Sequence, residues 1–301
     1  MTRLARRFSL LLLLTACATV PAHVQEAPPP AGTVRYVAGG DARNDVSHVL
    51  PWAFEEARRL QATAFLFLGD MEVLPQFDGH FEEVLRGLDP VAFYPAIGNH
   101  EVKQAVPNPA EKAALVQKFQ NNFLGTARTP VWSALADRVT YSVNLPGGLH
   151  FIALDNVSQK GFGAAQLAWL STDLEQARHD PAVRAIVVGM HKALAGNGAT
   201  GHSMDEDGDV GAAESAAALA LFVQAHVDLI LASHEHGFWE FQQQGIHTII
   251  SGGLGAPLAK AAGKDHAFHH LLQLEVNSAG LQVKVIRFEG RSTYEKGADI
   301  D

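Results

Sequence analysis

Five apolar runs in this chain end alike, in a turn that carries side chains able to bind a metal ion or move a proton. TVRYVAGGD (33–41) stops at Gly40-Asp41, TAFLFLGD (63–70) at Gly69-Asp70, and VAFYPAIGNHE (91–101) at Gly98-Asn99-His100-Glu101. AVRAIVVGMHK (182–192) reaches His191, and VDLILASHEHG (227–237) reaches His234 and His236. Short unbroken apolar runs bounded by turn residues read as strands buried on both faces. Helical patterns at 47–62, 77–88, 163–179 and 212–226 separate them. Segment 139–155 reads as two strands joined through Pro146-Gly147-Gly148, and 238–257 and 269–290 read as hairpins. The order predicts α/β layers with more β structure toward the end. In open α/β sheets ligands gather beyond the carboxyl ends of the strands, where Asp41, Asp70, Asn99, His100, His191, His234 and His236 all fall. Alternate residues of an extended chain share a face, so His234 and His236 point to one place.

A composition with 47% hydrophobic and 18% charged residues fits a soluble globular protein. The formal net charge of −9 gives no electrostatic case for binding a nucleic-acid backbone. It does not exclude a phosphate substrate, because bound cations reverse the local sign of charge. The first residues have the plan of an export signal: Arg3, Arg6 and Arg7, the apolar SLLLLL, then TAC. Leu14-Thr15-Ala16-Cys17 resembles the bacterial lipobox, and Cys17 is the only cysteine. Simple cleavage beside Ala16 or Ala18 is the competing outcome. The division expected is a signal peptide at 1–16, a lipid-anchor cysteine and Pro-rich tether at 17–32, and one domain over 33–301. The expected location is the periplasmic face of the cell envelope, with lipid at Cys17 the only membrane attachment. Ala18 after the cysteine points to the outer membrane in a Gram-negative host.

Gly40-Asp41-x-Arg43, Gly69-Asp70, Gly98-Asn99-His100-Glu101, His191 and His234-x-His236 together resemble the calcineurin-like metallophosphoesterases. IISGGLGAP (249–257) resembles the glycine-rich turn that follows the last histidines in that family. The resemblance implies a four-layer α/β/β/α sandwich of two mixed sheets, with a dinuclear metal site at the strand carboxyl ends. It also implies hydrolysis of a small-molecule phosphate ester by a metal-bridging hydroxide. The cofactors implied are two divalent or trivalent transition-metal ions, of which Mn, Fe, Zn and Co all suit these ligands. Asp70 would bridge the ions, Asp41 and His236 would complete one site, and Asn99, His191 and His234 the other. His100, directly after Asn99, would stabilise the transition state or protonate the leaving oxygen. Asn99, Arg43 and His202 are the candidates for substrate contact.

One position departs from the pattern. Many relatives carry a histidine ligand where Arg43 stands, and arginine cannot coordinate a cation. The purple acid phosphatase branch uses a tyrosine shortly after the second Gly-Asp, but MEVLPQF follows Asp70 here. Arg43 therefore either grips substrate phosphate or is a solvated loop arginine. An alternative function follows: a metal-binding envelope lipoprotein with little or no turnover because the first metal site is incomplete. DEDGD (205–209) lacks calcium-loop spacing and reads as a solvated lid. His266, His269 and His270 read as surface or strand histidines, and Trp239 and Phe241 as core.

Overall fold

The computed structural model describes residues 30–290 except 44, 46–47, 72–84, 103–107, 125–130, 132, 136–137 and 260–262. The export segment, Cys17, nearly all of the tether and most of the 77–88 helix lie outside the described residues. The compact unit begins at Ala31.

Among the described residues the strands are β1 (Val34–Gly39), β2 (Ala64–Phe67), β3 (Ala92–Pro95), β4 (Ser133–Leu135), β5 (Thr140–Leu145) and β6 (Leu149–Leu154). The series continues with β7 (Ala185–Lys192), β8 (Leu229–Ser233), β9 (Phe238–Gln243), β10 (Ile246–Ser251), β11 (His270–Asn277) and β12 (Gly280–Arg287). The helices are α1 (Val49–Arg59), α2 (Pro109–Phe123), α3 (Ala164–His179) and α4 (Asp209–Ala225). Two mixed sheets form, ordered β12-β11-β1-β2-β3 and β4-β5-β6-β7-β8-β10-β9. β1, β2 and β3 run parallel, as do β6, β7, β8 and β10. The expected architecture of two mixed sheets is the one observed.

The apolar runs are continuous because each strand is covered on both faces. In β1 and β2, Tyr36, Ala38, Ala64 and Leu66 face the second sheet, where they meet Phe151, Val187, Leu229 and Leu231. Their neighbours Val37, Phe65 and Phe67 point the other way, toward Phe54 and Ala57 of α1. The second sheet divides alike, with Ile152, Val188 and Ile230 packing on Leu170 and Phe222 of α3 and α4. The period-2 alternation of a strand thus separates three apolar layers, one between the sheets and one beneath each helical face.

Two sequence expectations change, and one helix goes beyond them. Helix α2 was not legible, because it buries only Val116, Phe119 and Phe123. DEDGD is not simply solvated: Met204–Asp207 form a 3-10 turn whose Asp207 is buried beside the Lys192 ammonium, at 3.3 Å. His269 and His270 are buried, not surface residues. His270 does start a strand, β11, and its Nε2 meets Ser251 Oγ at 2.9 Å.

Candidate metal centre

Each strand that ends here turns sharply. Seven described non-glycine residues have positive φ, and four of them are Asp41, Arg43, Asp70 and His234. Left-handed backbone is unfavourable for such residues and concentrates at functional sites. It swings the side chain after a strand back across the sheet's end. At the turns after β1, β2 and β3, Gly98 permits the tightest approach, since a Cβ there would lie 2.1 Å from Asp70 Oδ1. β7 reaches the same place through a bulge, with an extra residue between Gly189 and Lys192 relative to β8. Such a bulge re-aims a side chain, and His191 lies within it.

The two sheets contribute different chemistry. Asp41, Asp70, Asn99 and His100 follow β1, β2 and β3 of one sheet, while His191, His234 and His236 come from β7 and β8 of the other. His191 Nε2 lies 2.8 Å from Asn99 Oδ1, 3.1 Å from His234 Nδ1 and 3.4 Å from Asp70 Oδ1. A second pair joins His236 Nε2 to Asp41 Oδ1 at 3.4 Å. The far ring nitrogens are tied down, His191 Nδ1 to the Leu68 carbonyl at 2.9 Å and His236 Nδ1 to the Pro257 carbonyl at 2.7 Å.

These atoms fit transition-metal ions. Bonds of about 2.0–2.2 Å from nitrogen or oxygen to one ion place neighbouring ligand atoms about 3 Å apart, the spacing found around His191. Asp70, His191 and His234 offer ligand atoms all within 4.8 Å of one another. Asp41 Oδ1 is buried without a hydrogen-bond partner, a cost that a cation would remove. The electrostatics also call for positive charge. Burial opposes ionisation of His191, yet the Asp70 carboxylate and then Asp41 raise its pKa to about 9. His236 is raised in the same way, by Asp41 against burial. Burial likewise opposes ionisation of the two acids, but His191 lowers Asp70 and His236 lowers Asp41. His234 goes the other way: burial, aided by His191 and His202, brings it to about 4 despite its bond to Glu206.

His100 stands at the edge, its Nε2 3.7 Å from Asp70 Oδ2 and its backbone N–H donating to Asp70 Oδ1 at 2.9 Å. Burial and Arg43 lower its pKa, only partly offset by Asp70. Arg43 is half-buried on the loop after Asp41, and its Nε is without a hydrogen-bond partner. His202 is more exposed and stacks on the His234 ring at 3.9 Å between centroids. The structure thus gathers Asp41, Asp70, Asn99, His100, His191, His234 and His236, with Arg43 and His202 at the rim.

Two residues escaped the sequence reading. Glu101 accepts the backbone N–H groups of Asp70, Met71 and Gly98 at 2.9, 2.9 and 2.7 Å, fastening the β2 and β3 turns together. Its place in Gly-Asn-His-Glu was the available signal. Lys192, fully buried beside His191, pairs with Glu206 at 3.1 Å and Asp207 at 3.3 Å.

Comparison with known proteins gives a consistent picture. The sequence profile described as calcineurin-like phosphoesterase matches residues 39–238. No curated protein sequence matches the chain. Among solved structures, a purple acid phosphatase, PPD1, from yellow lupin (Lupinus luteus) seeds superposes with a TM-score of 0.65 at 15% identity. That match covers 88% of this chain and 53% of the lupin one, so the chain spans about half of that protein's length. GAP50, the anchor in the inner membrane complex of Plasmodium, matches with a TM-score of 0.56 at 14% identity, over 87% of each chain. A dimetal phosphatase from Danio rerio matches at 0.53 and 13%, over 85% of this chain and 99% of that one. At these identities the likeness is one of fold.

Proposed function

Because the chain belongs to the calcineurin-like phosphoesterase family, we propose that it hydrolyses phosphate esters with two transition-metal ions. The observation that carries this is the set of buried carboxylate, amide and imidazole atoms spaced about His191 as ligands of one ion would be. Asp70, Asp41 and His236 would hold one ion, and Asp70, Asn99, His191 and His234 the other. When bound, the ions supply Lewis acidity and an activated water nucleophile.

The chain's own groups do the rest. Asn99 would ligate through a neutral oxygen, so it adds no negative charge to repel the substrate, and its amide N–H₂ would remain to donate to phosphate. Arg43 presents a planar fork of donors suited to phosphate oxygens. With its lowered pKa, His100 is largely neutral at neutral pH and serves as a hydrogen-bond donor to the charge that develops on the leaving oxygen. His202, stacked on His234 at the rim, is the candidate for contact with the alcohol portion. The positive Arg43 where a ligand would stand favours one alternative, a metal-binding protein with little turnover.

The location proposed is the cell envelope, supported by the arginines and apolar run before Cys17. Among the described residues no helix is long and apolar enough to cross a membrane.

The decisive experiment measures metal content and turnover on the same purified samples, with monoester and diester substrates and several divalent metals. Two tightly held ions with turnover is the expected result. Two ions without turnover would establish the binding alternative, and no tightly held metal would remove the enzyme assignment.

A further inference from the structure

One carboxylate beside the centre lies on the far side of a candidate ligand's ring. Glu206 Oε2 lies 3.2 Å from His234 Nε2, across the ring from Nδ1, which faces His191 at 3.1 Å. The same oxygen is 3.1 Å from Lys192 Nζ, and Glu206 Oε1 meets His202 Nδ1. A neutral imidazole has one proton for two nitrogens, and an ionised carboxylate only accepts. A carboxylate at Nε2 therefore holds the proton there and leaves the lone pair on Nδ1.

We propose that Glu206 is the positioning residue for His234, fixing its tautomer and ring orientation so that Nδ1 is offered to the metal. The assignment rests on the two-metal centre proposed above. Carboxylates that hold the outer nitrogen of a ligating histidine typically change metal affinity 10–100-fold when removed.

The surroundings show a built support. Lys192 is completely buried and lies between Glu206 and Asp207, so its charge holds the carboxylate in place. The Met204 side chain plugs the core beneath α4, and its backbone N–H donates to the Ala193 carbonyl at 2.9 Å. Ser203 caps the turn by accepting from the Asp205 N–H at 3.2 Å. Thr200 Oγ1 donates to Glu235 Oε2 at 2.6 Å, tying the loop to the segment between His234 and His236. The His202 ring lies over His234 with 21° between planes, held by the same carboxylate. His202, Glu206 and His234 also have the spacing of a metal site. The Lys192 ammonium already supplies that carboxylate with a cation, and Nδ1 of His234 is turned to the main centre, so positioning accounts for the geometry better than a third ion.

The test compares wild type, Glu206→Ala and Glu206→Gln as full chains. Zinc affinity is measured by competition with a chelator, and the His234 tautomer by ¹⁵N chemical shifts of the ring. Glu206→Ala should weaken one of the two ions about 10–100-fold, leave the other unchanged, and abolish the uniform Nε2–H signature. Glu206→Gln retains an acceptor and should recover most of the affinity, which simple loosening of the loop would not allow. Unchanged zinc affinity and tautomer in Glu206→Ala would overturn the assignment. So would a third ion in wild type that Glu206→Ala loses. If wild type binds no zinc, the two-metal centre itself fails. The ring shifts then decide separately whether Glu206 sets the tautomer.

Discussion

Replacing Glu101 by glutamine changes almost no volume but disturbs three hydrogen bonds. The carboxylate is 1% exposed and accepts from the N–H groups of Asp70, Met71 and Gly98. Bonds to a charged group contribute about 1.5–3 kcal/mol each. Glutamine keeps one carbonyl oxygen and turns a donor toward at least one N–H, where donor then faces donor. Loss of one bond, with weakening of the others, gives a destabilisation of about 2–4 kcal/mol. Against a typical total of about 5–15 kcal/mol the fold should survive, measurably weakened. Alanine would leave three buried N–H groups unpaired at about 1–3 kcal/mol each, enough to threaten folding altogether. Urea unfolding reads the effect as a lower midpoint with an unchanged slope. Because these bonds tie the Asp70 turn to the Asn99 turn, metal affinity should fall in the same variant. The reasoning is refuted if Glu101→Gln unfolds within about 0.5 kcal/mol of wild type, the range of a surface change, and binds metal normally.

Other consequences are open to direct measurement. His100→Ala should keep both ions and lower turnover by roughly 10²–10⁴-fold, with a smaller loss for esters whose alcohols leave easily. Wild-type turnover on poor leaving groups at full metal occupancy would remove His100 from the chemistry. Gly98→Ala should displace Asp70, because the new methyl would also lie 2.2 Å from the Asp70 backbone nitrogen. Metal titration should show lost affinity, and normal affinity would mean that the turn relaxes freely. Burial lowers the His270 pKa from its ordinary 6.5 to about 4. The unfolded chain therefore takes up this proton first as the medium acidifies. Stability from the neutral ring is complete above about pH 6.5 and drains away toward pH 4, on the order of 3 kcal/mol. Urea midpoints for His270→Gln should lack this part of the pH slope, and equal slopes would refute the assignment.

Much of the centre was legible because it is written at strand ends. A run such as TAFLFLGD (63–70) announces both the buried strand and the residue that must emerge from it. His234 and His236 were placed together by spacing alone, although the strand stops at Ser233 and a turn, not extended chain, carries both rings. What the sequence hid depends on distant partners. Glu206 looked solvated until Lys192 and His234 were brought against it from other strands. His270 looked ordinary until Ser251 and the Phe268 carbonyl enclosed it. Helix α2 lay below notice because three buried side chains make too thin a stripe to distinguish it from a polar loop.

The position of β1 also bears on how the chain comes off the ribosome. This first strand sits in the interior of its sheet, between β2 and β11, and Val34 pairs with Val276. One edge of β1 is satisfied within some thirty residues of synthesis, while the other waits for β11, about 240 residues further along the chain. An apolar strand with an open edge is a template for mispairing, and such long-range closure is slow. Nascent chains halted before β11 should therefore be insoluble even though the metal-binding motifs are already made. In a growing cell, this protein's dependence on chaperones would be set by β11 and felt by β1.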